Sequence, residues 1–283
     1  MITTAAQHCA AEPSAKDGFA MISNLHTHTV RCGHASGTER EFIEAALERG
    51  LTTLGFSDHA PMLFPGDYYS DRIRMRPEEL EDYVTTLQAL REEYRSQIRI
   101  LIGLEMEYYP ELFEKTFDFY RSFPLDYLIL GQHYLHNEYD YEGHVMLGFS
   151  DPKELRQYVD QVITGMEQGC FTFLAHPDSF KFTGSAEDYD REMRRICVCA
   201  KELALPMEIN MYGVIKGGHY PNEQFWQIAA EVGNDVLVSL DAHRLEMFRN
   251  ETALAAAYAM AERCGLKPIE LTEVRNPFKV LSV

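Results

Sequence analysis

Three histidines, His26, His28 and His34, crowd into nine residues of the stretch ISNLHTHTVRCGHASG, behind a short apolar lead. Neutral imidazole is a common metal ligand. Residues i and i+2 on a strand point to one side, so His26 and His28 can grip one ion together. The same alternation recurs at Asp241-Ala242-His243. Further chemistry-bearing groups are Ser57-Asp58-His59, Glu105-Met106-Glu107, Gln132-His133, His176-Pro177-Asp178, and Glu208 with Asn210. Imidazole and carboxylate together suit Zn, Mn or Fe. A tetrahedral site uses only about four ligands, so a set this large implies two or three ions close together.

Each of these groups lies at the end of a short, β-prone apolar run. Such runs cover residues 21–25, 52–56, 98–104, 127–130, 171–174, 207–209 and 236–240. Amphipathic stretches at 38–49, 77–95, 110–123, 151–168, 186–203 and 222–232 read as helices, with a final helix or pair of helices over 244–264. Thr38 and Glu41 form the pattern of a capping box, and Gly50 stops that helix. Repeated strand-then-helix units imply parallel strands with right-handed crossovers. No glycine-rich dinucleotide fingerprint follows the first strand, so an α/β fold closed as a distorted (β/α)7 barrel is expected rather than an open sheet. A barrel of this TIM-like kind gathers the C-terminal ends of its strands at one mouth. Six of the 11 histidines fall at those ends, and His34 lies in the loop after the first. His136, His144 and His219 are expected on loops. Asp58 is expected to orient a ligating imidazole rather than to ligate, Glu107 either to orient one or to face solvent, and Asp178, like Asp58, either to orient a ligating imidazole or to ligate.

The chain has 283 residues and a formal charge of −18. So acidic a surface argues against nucleic-acid binding, and no apolar run approaches the roughly 20 residues that span a bilayer. Residues 1–20 lack the basic and apolar regions of a secretory signal and read as a loosely ordered extension, leaving 21–283 as a single domain. The six cysteines, Cys9, Cys32, Cys170, Cys197, Cys199 and Cys264, show no disulfide framework and read as reduced thiols of a cytoplasmic protein. Trp226 is expected in the core.

The motifs HTHTVRCGHASG, LGFSDHAP, LIGLEMEY, DYLILGQHYL, FLAHPD, MEIN and LDAH, in that order, resemble those of the PHP (polymerase and histidinol phosphatase) superfamily, and within it the histidinol-phosphate phosphatase branch. The resemblance implies a distorted seven-stranded barrel and a trinuclear centre. His26 and His28 would hold one ion with Glu105 and Asp241. Glu105 would bridge to a second held by His133 and His176, and His34, His59 and His243 would hold the third. The implied reaction is hydrolysis of a phosphate monoester, L-histidinol phosphate, by a hydroxide bridging two ions, with Asp241, His59 and Glu105 as catalytic residues. The alternative is a phosphoesterase of the same family for another small phosphorylated metabolite, a nucleotide or sugar phosphate. Family members often carry S-G-L-R-K after the E-x-N strand. Here YGVIK aligns, with Ile215 at the arginine position, so Lys216, Arg31 or His219 is expected to hold the phosphate instead. The loop 61–75 is expected as a wall or lid beside the mouth. No oligomeric state follows from these residues.

Overall fold

The computed structural model describes residues 21–70, 72–139 and 143–279; the expected extension at 1–20 lies outside them. Its strands are β1 Ser23–Asn24, β2 Thr53–His59, β3 Arg99–Met106, β4 Tyr127–Leu130, β5 Met207–Asn210 and β6 Val236–Ser239. Its helices are α1 Glu39–Arg49, α2 Leu80–Tyr94, α3 Phe113–Tyr120, α4 Pro152–Glu167, α5 Ala186–Glu202, α6 Met211–Lys216, α7 Glu223–Val232 and α8 Glu251–Arg263. Every strand pairing is parallel, in the orders β1-β2-β3-β4 and β5-β6.

Two junctions curl these sheets into one barrel. Leu174 bridges Leu130 on one side and Met207 on the other, both in parallel sense, and Thr27 bridges Ala242. Seven chain segments therefore surround the axis, as the sequence rhythm implies, but residues 171–174 contribute a single bridging position instead of a strand. The second strand runs past the expected Phe56 and carries His59 at its end. The YGVIK stretch forms the short helix α6, capped by Asn210, whose side chain accepts from the Gly213 N–H.

The period-two alternation of strands divides the core into two clusters. Leu101, Tyr127, Ile129, Phe173 and Leu237 fill the barrel interior, while Ile100, Ile102, Leu128 and Leu130 join the larger core beneath the helices. Tyr127 spans the interior and donates to the Leu25 carbonyl at 2.8 Å. Gly55 and Gly103 leave the space its ring occupies: a Cβ at either position would overlap it. Thr38 and Glu41 make the reciprocal capping box at the start of α1, a feature worth about 1 kcal/mol.

Beyond α8 the chain runs without regular structure across the N-terminal ends of the strands. The Ile269 N–H donates to the Val236 carbonyl, Glu270 accepts from the Ile22 and Ser23 N–H groups and the Ser23 hydroxyl, and Leu271 and Val274 pack against the interior cluster. This segment covers the end of the barrel away from the histidines. Among the described residues, no helix is long and apolar enough to cross a membrane. The described cysteines are all unpaired thiols.

Candidate metal centre

The strand ends bring His26, His28, His34, His59, Glu105, His133, His176, Asp241 and His243 to one mouth. Glu105 sits in the middle. Its Oε2 lies 2.9 Å from His59 Nδ1, 3.5 Å from His26 Nε2 and 3.6 Å from His28 Nε2. Its Oε1 lies 2.9 Å from His176 Nε2 and 3.6 Å from His133 Nε2. Asp241 Oδ1 lies 3.0 Å from His28 Nε2 and 3.5 Å from His26 Nε2. Ligands about 2.1 Å from an ion in a tetrahedral arrangement stand roughly 3.4 Å apart, so these spacings match a shared coordination shell. Gly131 on the neighbouring segment makes room for the central carboxylate, because a Cβ there would overlap it.

Outer hydrogen bonds turn the ligating atoms inward. His26 Nδ1 donates to Glu208 at 2.6 Å, His133 Nδ1 to Glu107 at 2.8 Å, and His28 Nδ1 to Asp58 at 3.4 Å. His243 Nδ1 donates to the Asp241 carbonyl, and His34 Nδ1 to the carbonyls of Cys32 and Arg72, each at 3.0 Å. In these rings Nε2 is left for the interior. Asn210 occupies the outer oxygen of Asp241 at 3.1 Å, leaving Oδ1 inward. The result is a set of buried atoms that no well-aligned hydrogen bond satisfies, although His59 Nδ1 stands 2.9 Å from Glu105 Oε2 and His28 Nε2 3.0 Å from Asp241 Oδ1: Nε2 of His26, His28 and His243, Nδ1 of His176, Glu105 Oε2 and Asp241 Oδ1. Buried polar atoms are almost always satisfied. This much orphaned donor capacity, all of it imidazole nitrogen and carboxylate oxygen, fits divalent cations. The groupings that could hold an ion include His26-His28-Glu105, His26-His176-Asp241 and His28-His59-His243. The Cys32 thiol joins a further grouping with His34 and His243, although its spacing from either is no recognisable metal motif in the sequence.

Electrostatics split His26, His28, His34, His59, His176 and His243 into two sets. Burial disfavours a charge on each of them. At His26 the Glu208, Asp241 and Glu105 carboxylates overcome burial and raise the pKa well above its usual range. Asp241 and Asp58 raise His28 to about 9, and Glu105 raises His176. At His34 and His243 burial prevails, reinforced by neighbouring imidazoles, and at His59 it outweighs the pull of Glu105, so all three fall. Burial pushes the Glu105 and Asp241 carboxyls up, but the surrounding histidines hold both well below the usual range. His176 and Asp241 adopt left-handed backbone conformations, with φ of 29° and 50°. Such residues carry strain of about 1–3 kcal/mol and cluster at functional sites.

A cavity of about 260 Å³ opens beside these groups, lined by His34, His59, His133, His176, Asp241 and His243 together with Arg72, His144, Ser179, Tyr212 and Tyr220. The three expected phosphate-holding residues do not line it. The Arg31 guanidinium is taken by Glu39 and Asp82. Lys216 lies in the neighbouring cleft, its ammonium 5.1 Å from the Tyr212 ring. His219 is bound to the Ser179 carbonyl at 2.6 Å. Asp178 anchors α7 through Oδ2, which accepts from the Asn222 N–H at 2.6 Å and from Trp226 Nε1 at 2.9 Å, while its buried Oδ1 has no partner. Trp226 is fully buried, as expected. His144, expected merely on a loop, lines the cavity. Burial lowers its pKa to about 4, and its Nδ1 accepts from the Met146 N–H. Glu107 is buried, holding His133 and accepting from Arg74 at 2.8 Å.

The PHP domain matches residues 24–211. The chain belongs to the PHP domain family. A relative from Deinococcus radiodurans, named a probable histidinol-phosphatase, is 30% identical over 79% of this chain and 86% of its own. A probable histidinol-phosphatase from Schizosaccharomyces pombe is 24% identical over 89% of this chain and 90% of its own. The solved histidinol phosphate phosphatase of Lactococcus lactis, crystallised with zinc, L-histidinol and phosphate, superposes with a TM-score of 0.70 at 17% identity, covering 91% of this chain and 98% of that one. The PHP barrel expected from the motifs is the fold observed.

Proposed function

We propose that this protein is a metal-dependent phosphomonoesterase that hydrolyses L-histidinol phosphate to L-histidinol and phosphate, a step of histidine biosynthesis. The observation that carries this reading is the convergence of inward-facing, unpartnered imidazole and carboxylate atoms around Glu105. The names of relatives that align along most of the chain support the choice of ester. His26, His28, His34, His59, Glu105, His133, His176, Asp241 and His243 would hold two or three divalent ions, Zn, Mn or Fe. When bound, such ions lower the pKa of water and neutralise charge on a phosphoryl group.

The chain's own residues do the rest. Glu208, Asp58 and Glu107 fix the tautomer and angle of His26, His28 and His133. Asn210 holds the outer oxygen of Asp241, so that Oδ1 stays aimed at the ligand cluster. Asp241 and His59 both line the cavity, and with their pKa values lowered both would act there as proton acceptors rather than as donors to the departing alkoxide. Tyr212, Tyr220 and Ser179 form the wall against which a leaving group would rest.

Ile215, at the family's arginine position, favours a second reading: the same hydrolysis of a nucleotide or sugar phosphate. A panel of phosphomonoesters with zinc- or manganese-loaded protein decides. L-Histidinol phosphate is expected to exceed every other ester in kcat/KM by at least about tenfold, the scale of one well-made polar contact, and His28→Ala to abolish turnover. A nucleotide or sugar phosphate in that place would establish the second reading. No phosphate release from any ester by metal-loaded protein would refute both.

A further inference from the structure

Beside the divalent ions, a side-chain cation would help draw a phosphoryl dianion to a chain of charge −18, and the family's usual one is missing at Ile215. The nearby candidates differ in what they touch. Arg31 is paired twice. Arg74 is 1% exposed, with its guanidinium shared between Glu107, Glu138 and the Ala60 carbonyl. Arg76 stacks on Tyr69 at 3.7 Å. Lys216 lies in an adjoining cleft that shares His34, Tyr212 and His243 with the cavity, its ammonium over the Tyr212 ring. Arg72 alone among these lines the central cavity, and no carboxylate among the described residues pairs with its guanidinium.

The backbone of Arg72 is also fixed with respect to the candidate metal centre. Its carbonyl accepts from His34 Nδ1 at 3.0 Å. Two residues on, Arg74 is locked to Glu107, which holds His133 at 2.8 Å. One loop therefore contacts the outer nitrogen of one candidate ligand and supports that of another. Arg72 itself is exposed and lines the cavity from its solvent edge.

We propose that Arg72 is the anion-recognising side chain of this site, gripping the phosphoryl oxygens of the substrate in place of the arginine absent at position 215. The proposal rests on the phosphatase reading above. A guanidinium meets two phosphoryl oxygens at once, which an ammonium on the same stem cannot do. The loop after the second strand, rather than the helix after β5, then supplies the phosphate cation.

The test uses full-length, zinc-loaded protein and the variants Arg72→Ala and Arg72→Lys. Zinc content and Tm are measured first, then KM and kcat for L-histidinol phosphate and for p-nitrophenyl phosphate. Binding of inorganic phosphate is measured separately by calorimetry. Phosphate binding and KM are expected to weaken about 10–100-fold in Arg72→Ala, the usual scale of a charge-assisted pair. Arg72→Lys should fall between Arg72→Ala and wild type, and zinc content and Tm should be unchanged in both. Phosphate binding within twofold of wild type in Arg72→Ala overturns the assignment, as does a loss that merely follows lost zinc. If the wild type binds zinc and phosphate but hydrolyses no ester, the phosphatase reading fails while the calorimetric comparison still judges Arg72.

Discussion

Replacing Arg74 by methionine removes the one cation from a buried trio. Arg74 donates from Nε to Glu138 at 2.9 Å, from Nη2 to Glu138 at 2.5 Å and to Glu107 at 2.8 Å, and from Nη1 to the Ala60 carbonyl at 3.0 Å. Glu107 is 1% and Glu138 9% exposed. Methionine fills much of the volume but leaves two carboxylates facing each other without a counter-charge. Breaking a buried pair in this way costs about 3–5 kcal/mol, which corresponds to a fall in Tm of roughly 5–9 °C for a chain of this size. The damage reaches the metal centre as well. Burial pushes the Glu107 carboxyl up, and in the wild type Arg74 and His133 outweigh it and hold the group below the usual range. The stability contributed by that depressed pKa is complete above the ordinary carboxylate value, about 4.3, and is lost as pH falls through the lower folded value. Without Arg74 the folded value rises, and the carboxylate weakens the fold near neutral pH instead of strengthening it. A protonated Glu107 also holds His133 poorly, so zinc affinity is expected to fall about 10–100-fold. Thermal unfolding at pH 7 and at pH 4.5, with chelator competition for zinc, reads both effects. The double variant Arg74→Met/Glu138→Gln should recover at least about 1 kcal/mol by removing one of the stranded charges. A single variant within 1 kcal/mol of wild type, or a double variant no better than the single, would refute the reasoning.

Gly131→Ala places a methyl group on the Glu105 carboxylate. Zinc content and phosphatase activity should drop together, activity by about 100-fold, with the far-ultraviolet circular dichroism unchanged; retained zinc would count against the central role of Glu105. Rebinding of zinc to chelated protein at pH 7 should release protons, because the carboxylates around His28 hold its pKa at about 9 in the metal-free chain, and a ring must be neutral to ligate. Apparent affinity should therefore rise from pH 7 to 9, and calorimetry in two buffers of different ionisation enthalpy that finds no proton release would contradict this. Asp178→Ala strands the Trp226 and Asn222 N–H groups at a cost of about 2–5 kcal/mol. A lower Tm and red-shifted emission from Trp226 are expected with zinc content intact, whereas loss of zinc would return Asp178 to the metal site.

Local spacing carries much of this molecule. The i, i+2 pairs at 26/28 and 241/243, the capping box at Thr38 and the apolar runs before each histidine are short-range patterns, and short-range physics determines them: strand alternation, helix capping and turn chemistry act over a few residues. That is why the barrel and the candidate ligands were legible in the sequence alone. The fifth segment was legible too, but its reduction to a bridge at Leu174 was not, since pairing depends on neighbours supplied by distant chain. The same limit hid which cation faces the cavity. Arg31, Arg72, Arg74 and Lys216 are all candidate cations by residue type; only packing shows that Glu39 and Asp82 occupy the first, that Glu107 and Glu138 occupy the third, and that α6 holds the last over Tyr212 in an adjoining cleft. Glu208 beneath His26, Asp178 beneath Trp226 and the C-terminal segment across the far end of the barrel likewise depend on contacts between residues dozens to hundreds of positions apart. Residue order alone sets the chemistry available at the mouth. The tertiary structure decided which groups remain free to use it, because a side chain's partner is set by distance in space, and spacing along the chain constrains that distance only within a turn or a strand.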